Sequence, residues 1–229
     1  MKKIIALICT VTVSTFLFAQ DSVSNKLDEL VTAYTNMGRF NGAVLVAQHG
    51  NILLQKGYGI KNAGDNRMND ADTKFQIASV TKQFTAAVVL KLVEQKKMSL
   101  QDKLSKYYKG FPDGDSITIE NLLTHTSGLH NFTETDSSIQ ETDEERMVPY
   151  LKTLQPDFAP GTNWHYSNSG YVILGYIIQK VSGMSYWNAV RKFIFTPLHM
   201  YNSGFDFAHA RGDKATGYDV LNDSIKQSS

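Results

Sequence analysis

The apolar positions change period several times along the chain. Leu27, Leu30, Val31 and Tyr34 recur at helical spacing to about Met37, with Ser22 or Ser24 placed to cap the helix. Gly42 to Gln48 then reads as a strand, His49-Gly50-Asn51 as a turn, and Ile52 to Tyr58 as the returning strand of a hairpin. Ile60 to Asp72 is polar and rich in Gly, Asn and Asp, which predicts a loop. A short apolar piece, Phe75 to Ile77, stops at Ser79, and Val80 to Glu94 reads as one helix. Its middle, Phe84 to Val93, is apolar on nearly every face, which predicts burial inside a domain.

The second half is mainly helical. Thr118 can cap Ile119 to Thr124, and Thr124 to Leu129 forms a compact turn. Asn131 to Glu145 carries Glu134, Asp136, Glu141, Asp143, Glu144 and Glu145, a solvated loop and helix start. The helix continues over Met147 to Leu154 and stops at Pro156. After the Pro160-Gly161 turn, Trp164 to Gly170 is irregular and polar. Tyr171 to Val181 is a strongly apolar helix ending at Gly183. Ser185 caps another, with Tyr186, Ala189, Val190, Phe193 and Ile194 facing inward. From Ala210 onward no apolar period stands out, so 206–229 is expected to be a loop-like tail.

The first twenty residues are set apart from this pattern. Met1-Lys2-Lys3 is basic, Ile4 to Phe18 is apolar, and Ala19 is a small residue placed before a cut, the layout of a secretory signal peptide. The alternative is an uncleaved membrane anchor, for which the run is short. The expected location is periplasmic or secreted. Cys9, the only cysteine, lies inside this leader, so 21–229 has neither disulfide nor thiolate chemistry. A formal net charge of +1 gives no reason to expect a nucleic-acid partner.

Ser79 and Lys82 stand three residues apart at a predicted helix entrance, so hydroxyl and amine share a face at the positive end of the helix dipole. That suits a nucleophile and its base. The plainer reading is a capping serine beside an exposed lysine. Tyr166-x-Asn168 lies in a polar loop just before an apolar helix, where catalytic side chains collect. Tyr34-x-Asn36 and Tyr186-x-Asn188 share the pattern, but both fall in amphipathic helices where the tyrosine is expected to pack. Of the six histidines none sits in a Gly-x-Ser-x-Gly or His-Glu-x-x-His setting, and His125 and His165 read as structural or supporting groups. No metal site, cofactor or phosphate loop is expected.

Taken in order, Ser79-Val80-Thr81-Lys82, Thr124-His125-Thr126-Ser127-Gly128-Leu129 and Tyr166-Ser167-Asn168 resemble the serine β-lactamase and penicillin-binding-protein superfamily, nearest its class C β-lactamase and DD-peptidase branch. The resemblance covers roughly residues 24 to 218. It implies an α+β, β-lactamase/transpeptidase-like fold: an antiparallel sheet flanked by helices (21–78) and a mostly helical part (79–205), with the site in the cleft between. It implies an acyl-enzyme mechanism on a β-lactam, a D-Ala-D-Ala-type peptide or an ester. Ser79 would attack, Lys82 and Tyr166 would move the proton, Asn168 would bind the substrate amide, and the Ser79 N–H would supply half of an oxyanion hole.

The family's third motif, Lys- or His-x-Gly on a strand, finds no match after Asn168. Lys180 to Gly183 reads as a helix end and His209-Ala210-Arg211-Gly212 as a loop. The sheet is therefore expected to be incomplete and the chain to lack the family's C-terminal part. The alternative functions are a non-catalytic cell-wall peptide binder and an inactive fragment.

Overall fold

The computed structural model describes residues 23–135, 143–205, 207, 212–221 and 224–227. The expected leader over 1–20 with Cys9, the acidic residues Asp136 and Glu141, and His209 to Arg211 lie outside the described residues. The described residues form two compact units, one within 23–76 with 212–227, the other within 77–207.

In the first unit helix α1 (residues 23–36) precedes the antiparallel hairpin β1 (Gly42–Gln48) and β2 (Asn51–Tyr58), whose register shifts by a bulge between Val46 and Ala47. The helix is tied to the hairpin by polar contacts. Ser24 Oγ donates to the Leu53 carbonyl at 2.7 Å, and Asp28 accepts from Lys56 at 2.8 Å and from the Tyr58 hydroxyl at 2.7 Å. The expected loop 60–72 contains a second small hairpin, β3 (Ile60–Asn62) with β4 (Arg67–Met68). Lys61 on β3 is almost wholly buried. Its ammonium is kept charged there by Asp213 at 2.6 Å, with Asp70 at 3.5 Å.

The 206–229 tail corrects the sequence reading. It carries an antiparallel hairpin, β5 (Tyr218–Leu221) with β6 (Ser224–Gln227). Each strand has four residues, too few for an alternating period to stand out from a polar background. The tail is anchored ahead of the hairpin by backbone bonds from Ala215 and Thr216 to the carbonyls of Lys74 and Lys61, both 2.9 Å.

The second unit is helical: α2 (Lys82–Glu94), α3 (Ile119–Leu123), α4 (Phe132–Thr135), α5 (Glu144–Thr153), α6 (Asn168–Ser182) and α7 (Tyr186–Val190). The core is built around α6. Its Ile173, Leu174, Ile177 and Ile178 are fully buried with Val88, Val89 and Leu92 of α2, Leu122 of α3, Met147 of α5 and Val190 of α7. Burying each such side chain is worth roughly 1.5–3 kcal/mol.

Two helix readings are revised. The apolar helix over 80–94 is an α-helix from Lys82, preceded by a 3-10 turn, Ala78–Thr81. It buries one face only and leaves Leu90 51% exposed. Helix α6 begins three residues earlier than its apolar run, because Ser167 caps it and the small residues Ser169 and Gly170 are buried. At its other end Gly183 takes a left-handed φ of 70° and stops the helix. Among the described residues no helix is long and apolar enough to cross a membrane.

Candidate active site

Ser79 is the second residue of the 3-10 turn, directly after Ala78, whose φ of 42° is left-handed for a residue with a side chain. Such a conformation costs about 1–2 kcal/mol and is tolerated where the surroundings impose it. Lys82 opens α2 one turn later. Its ammonium has three protons to place. One goes to Ser79 Oγ at 3.2 Å and one to Asn168 Oδ1 at 2.8 Å. The group also lies 4.8 Å from the ring centre of Tyr166 and 5.5 Å from that of Tyr171, close enough for the charge to be held by the ring faces.

The second side of the site comes from the start of α6. Ser167 Oγ accepts the Gly170 N–H and so fixes where the helix begins. This puts Tyr166 on the last non-helical turn and Asn168 on the first helical residue. The Tyr166 hydroxyl is 2.6 Å from Ser79 Oγ. Burial pushes the Tyr166 pKa up, but hydrogen bonds from Lys82 and Ser79 and the Lys82 charge outweigh it, so the phenol lies below its ordinary 10.0. Asn168 is oriented by three contacts besides its own helix. Its Oδ1 accepts from Lys82, its Nδ2 donates to Thr133 Oγ1 at 3.1 Å, and its N–H donates to Asn131 Oδ1 at 3.1 Å.

His125, read from sequence as a supporting group, touches the site directly. Its ring lies 4.7 Å from that of Tyr166 and 5.1 Å from that of Tyr171. Its Nδ1 accepts the Ser167 N–H at 3.1 Å, which requires a lone pair on that nitrogen. Burial, then the Lys82 charge, lowers its pKa, which favours the neutral ring that this bond needs.

All four residues singled out from sequence, Ser79, Lys82, Tyr166 and Asn168, are thus brought together. Neither of the other two Tyr-x-Asn tyrosines contacts Ser79 or Lys82. Tyr186 is half-buried with its hydroxyl on Thr85 at 2.7 Å, whereas Tyr34, expected to pack, is 51% exposed. Sequence reasoning missed Asn131, Thr133 and Tyr171, whose places depend on contacts between distant segments. Beside Ser79 and Lys82 opens a cavity of about 630 Å³, lined mostly by apolar groups that include Phe132, Tyr171, Val172, Gly175 and Tyr186.

The helical core and the separate two-stranded antiparallel pieces, with a serine, lysine and tyrosine in mutual contact at a helix entrance, define a β-lactamase/transpeptidase-like protein. Residues 27–224 match the family described as Beta-lactamase, and the chain belongs to that family. Penicillin-binding protein 4* of Bacillus subtilis (strain 168) is 35% identical over 185 residues, 77% of this chain and 41% of that protein. Among solved structures, the octameric penicillin-binding protein homologue from Pyrococcus abyssi superposes with a TM-score of 0.80 at 28% identity, over 89% of this chain and 50% of that one. A class C β-lactamase does so with a TM-score of 0.76 at 26% identity, over 92% of this chain and 58% of that one. The chain thus spans less than half the length of the curated relative. This kinship supports serine hydrolase function in general.

Proposed function

We propose that the chain acts as an exported serine hydrolase that works through an acyl-enzyme on β-lactam, D-Ala-D-Ala-type peptide or ester substrates. The observation that carries this reading is the contact of one hydroxyl, Ser79 Oγ, with both Tyr166 Oη and Lys82 Nζ. Ser79 Oγ attacks the substrate carbonyl carbon and its proton passes to the Tyr166 phenolate, which Lys82 stabilises. The Ser79 N–H, at the start of its turn, donates to the oxyanion. Collapse of the tetrahedral species breaks the bond to the leaving group, which takes the proton from Tyr166. Water then adds to the Ser79 ester by the same route, giving a carboxylic acid and free enzyme. Asn168 holds the Lys82 ammonium and offers its amide to the substrate. The apolar cavity beside Ser79 suits the side chain of the acyl group.

The basic and apolar leader supports periplasmic or secreted placement, where cell-wall peptides and β-lactams are met. A fluorescent penicillin tests the reading. The protein is expected to take up one label that Ser79→Ala loses. Reversible binding of a cell-wall peptide without any label, unaltered in Lys82→Ala, supports the non-catalytic alternative instead.

A further inference from the structure

Outside the reacting groups, one carboxylate collects two histidines. Asp157 Oδ1 is 2.7 Å from His130 Nδ1, and Asp157 Oδ2 is 2.9 Å from His165 Nδ1. The outer nitrogens are also engaged. His165 Nε2 is 3.3 Å from Glu134 Oε1, and His130 Nε2 is 3.1 Å from Thr135 Oγ1. Among the described residues no group of three or more His, Asp, Glu or Cys side chains is arranged to hold a metal ion. The cluster is a hydrogen-bonded one in which Asp157 must accept and both Nδ1 atoms must carry protons.

Its position in the chain gives it a consequence. His165 immediately precedes Tyr166, the group placed on Ser79 Oγ. His130 immediately precedes Asn131, whose Oδ1 accepts the N–H of Asn168. The His130 carbonyl also accepts from Ser169 Oγ at 2.6 Å, at the first turn of α6. Asp157 itself is fixed from below, its N–H donating to the Gly128 carbonyl at 2.9 Å. The neighbouring backbone lies so close that a Cβ on Gly128 would meet the Phe158 carbonyl oxygen at 2.0 Å. A single carboxylate therefore fastens the segment that ends in Tyr166 to the segment that holds Asn168, and neither can shift without breaking a bond to it.

We infer that Asp157 is a positioning residue for the acylation site, holding Tyr166 and Asn168 in register with Ser79 and Lys82 through His165 and His130. This rests on the acyl-enzyme reading above. The electrostatics of Asp157 and His165 act in the same sense. Hydrogen bonding to Asp157, then the charges of Glu134 and Asp157, raises the His165 pKa against the opposing effect of burial. Burial pushes the Asp157 carboxyl up, but the two histidines outweigh it and hold it below its usual 3.8. The groups facing His165 are these two carboxylates, and His130 is the second cation-forming group on Asp157.

The test separates position from chemistry. Imidazole nitrogen resonances of His130 and His165 are followed against pH in the full chain, and acylation by a fluorescent penicillin is timed in parallel. In the wild type, His165 is expected to titrate above its ordinary value and to keep its proton on Nδ1. In Asp157→Asn, which leaves one acceptor for two donors, the His165 midpoint falls towards about 6.5. Acylation then slows by about 100-fold, the effect of misplacing a reacting group by an ångström. His165→Asn, whose amide nitrogen occupies the place of Nδ1, retains the rate within a few-fold, whereas His165→Ala behaves like Asp157→Asn. An ordinary His165 titration in the wild type, or a wild-type acylation rate in folded Asp157→Asn, overturns the inference. No label on the wild type overturns the acyl-enzyme reading instead, and the titration still decides whether the clamp exists.

Discussion

Lys82 Nζ and Asn168 Oδ1 are 2.8 Å apart although 86 positions separate them in the chain. The bond joins the first residue of α2 to the first residue of α6, and it aims the ammonium at Ser79 Oγ. Asn168→Ala frees the lysine without removing its charge, and acylation by a fluorescent penicillin is expected to slow by about 100-fold. Lys82→Ala removes the charge as well and is expected to cost more, about 1,000-fold or beyond. Stopped-flow acylation of the two variants checks the order, and a larger loss in Asn168→Ala than in Lys82→Ala would reverse these roles.

In the proposed mechanism Tyr166 accepts the Ser79 proton only as its phenolate, so the acylation rate is expected to rise with pH to a plateau. Because its pKa lies below the ordinary 10.0, the midpoint of that rise falls below 10 in the wild type. Lys82→Arg keeps a cation nearby and retains a depressed midpoint, while Lys82→Ala moves it upward through loss of the hydrogen bond and charge. Tyr166→Phe removes the acceptor and is expected to lose about 100- to 10,000-fold, with the rise abolished. A pH–rate profile of each variant makes the comparison.

The Asp157 cluster also makes a stability prediction. Asp157 is depressed, so its contribution is present above the unfolded value of about 3.9 and is lost as pH falls through the folded value. His165 is raised, so its contribution is present below about 6.5 and is lost as pH rises through the folded value. The gap in melting temperature between wild type and Asp157→Asn is expected to be widest between about pH 4 and 6.5 and to narrow on both sides. A gap independent of pH contradicts it.

Gly128 has a φ of 75° and no space for a side chain against Phe158. Gly128→Ala is expected to destabilise the fold by about 3 kcal/mol or more, because the contact is with backbone and cannot be relieved by rotating a side chain. In the core, Ile177→Ala on α6 is expected to cost about 2–5 kcal/mol. Urea unfolding measures both.

Gly175 lines the cavity beside Ser79, and a Cβ built there meets its nearest atom, on the Tyr186 ring, at an ordinary 3.8 Å. The position thus admits a Cβ, and Gly175→Leu extends a side chain from it into the cavity. Acylation by an ester with a long or aromatic acyl group is expected to slow by at least tenfold, while an acetyl ester is affected little, since each buried methylene is worth about 0.8 kcal/mol. Equal losses for both esters would remove the cavity from the account.

How far the sequence could be read depended on the range of each interaction. Ser79 and Lys82 were legible because their relation is local, three residues on one helical face. The β1–β2 hairpin was legible because its strands are long enough to frame a turn at His49-Gly50, with Asn51, expected in the turn, already in β2. Tyr166 and Asn168 were picked out by their loop setting and by the order of the motifs around them. The true start of α6 was hidden because Asn168, Ser169 and Gly170 look like loop residues, although Ser169 and Gly170 are buried. His125 was legible as a supporting group, but its direct contact with the site was hidden, since a left-handed φ of 60° on a histidine and its stack on Tyr166 arise only from tertiary contact. Asp157, Asn131 and Thr133 were unreadable for the same reason. Their partners are up to 37 positions away, and nothing in their spacing announces the pairing.

The most direct measurement of the central claim is the mass of the protein after brief exposure to a penicillin, followed by peptide mapping of the adduct. One acyl group is expected, carried by the peptide containing Ser79 and absent from Ser79→Ala. An adduct on any other side chain, or one that persists in Ser79→Ala, contradicts the account.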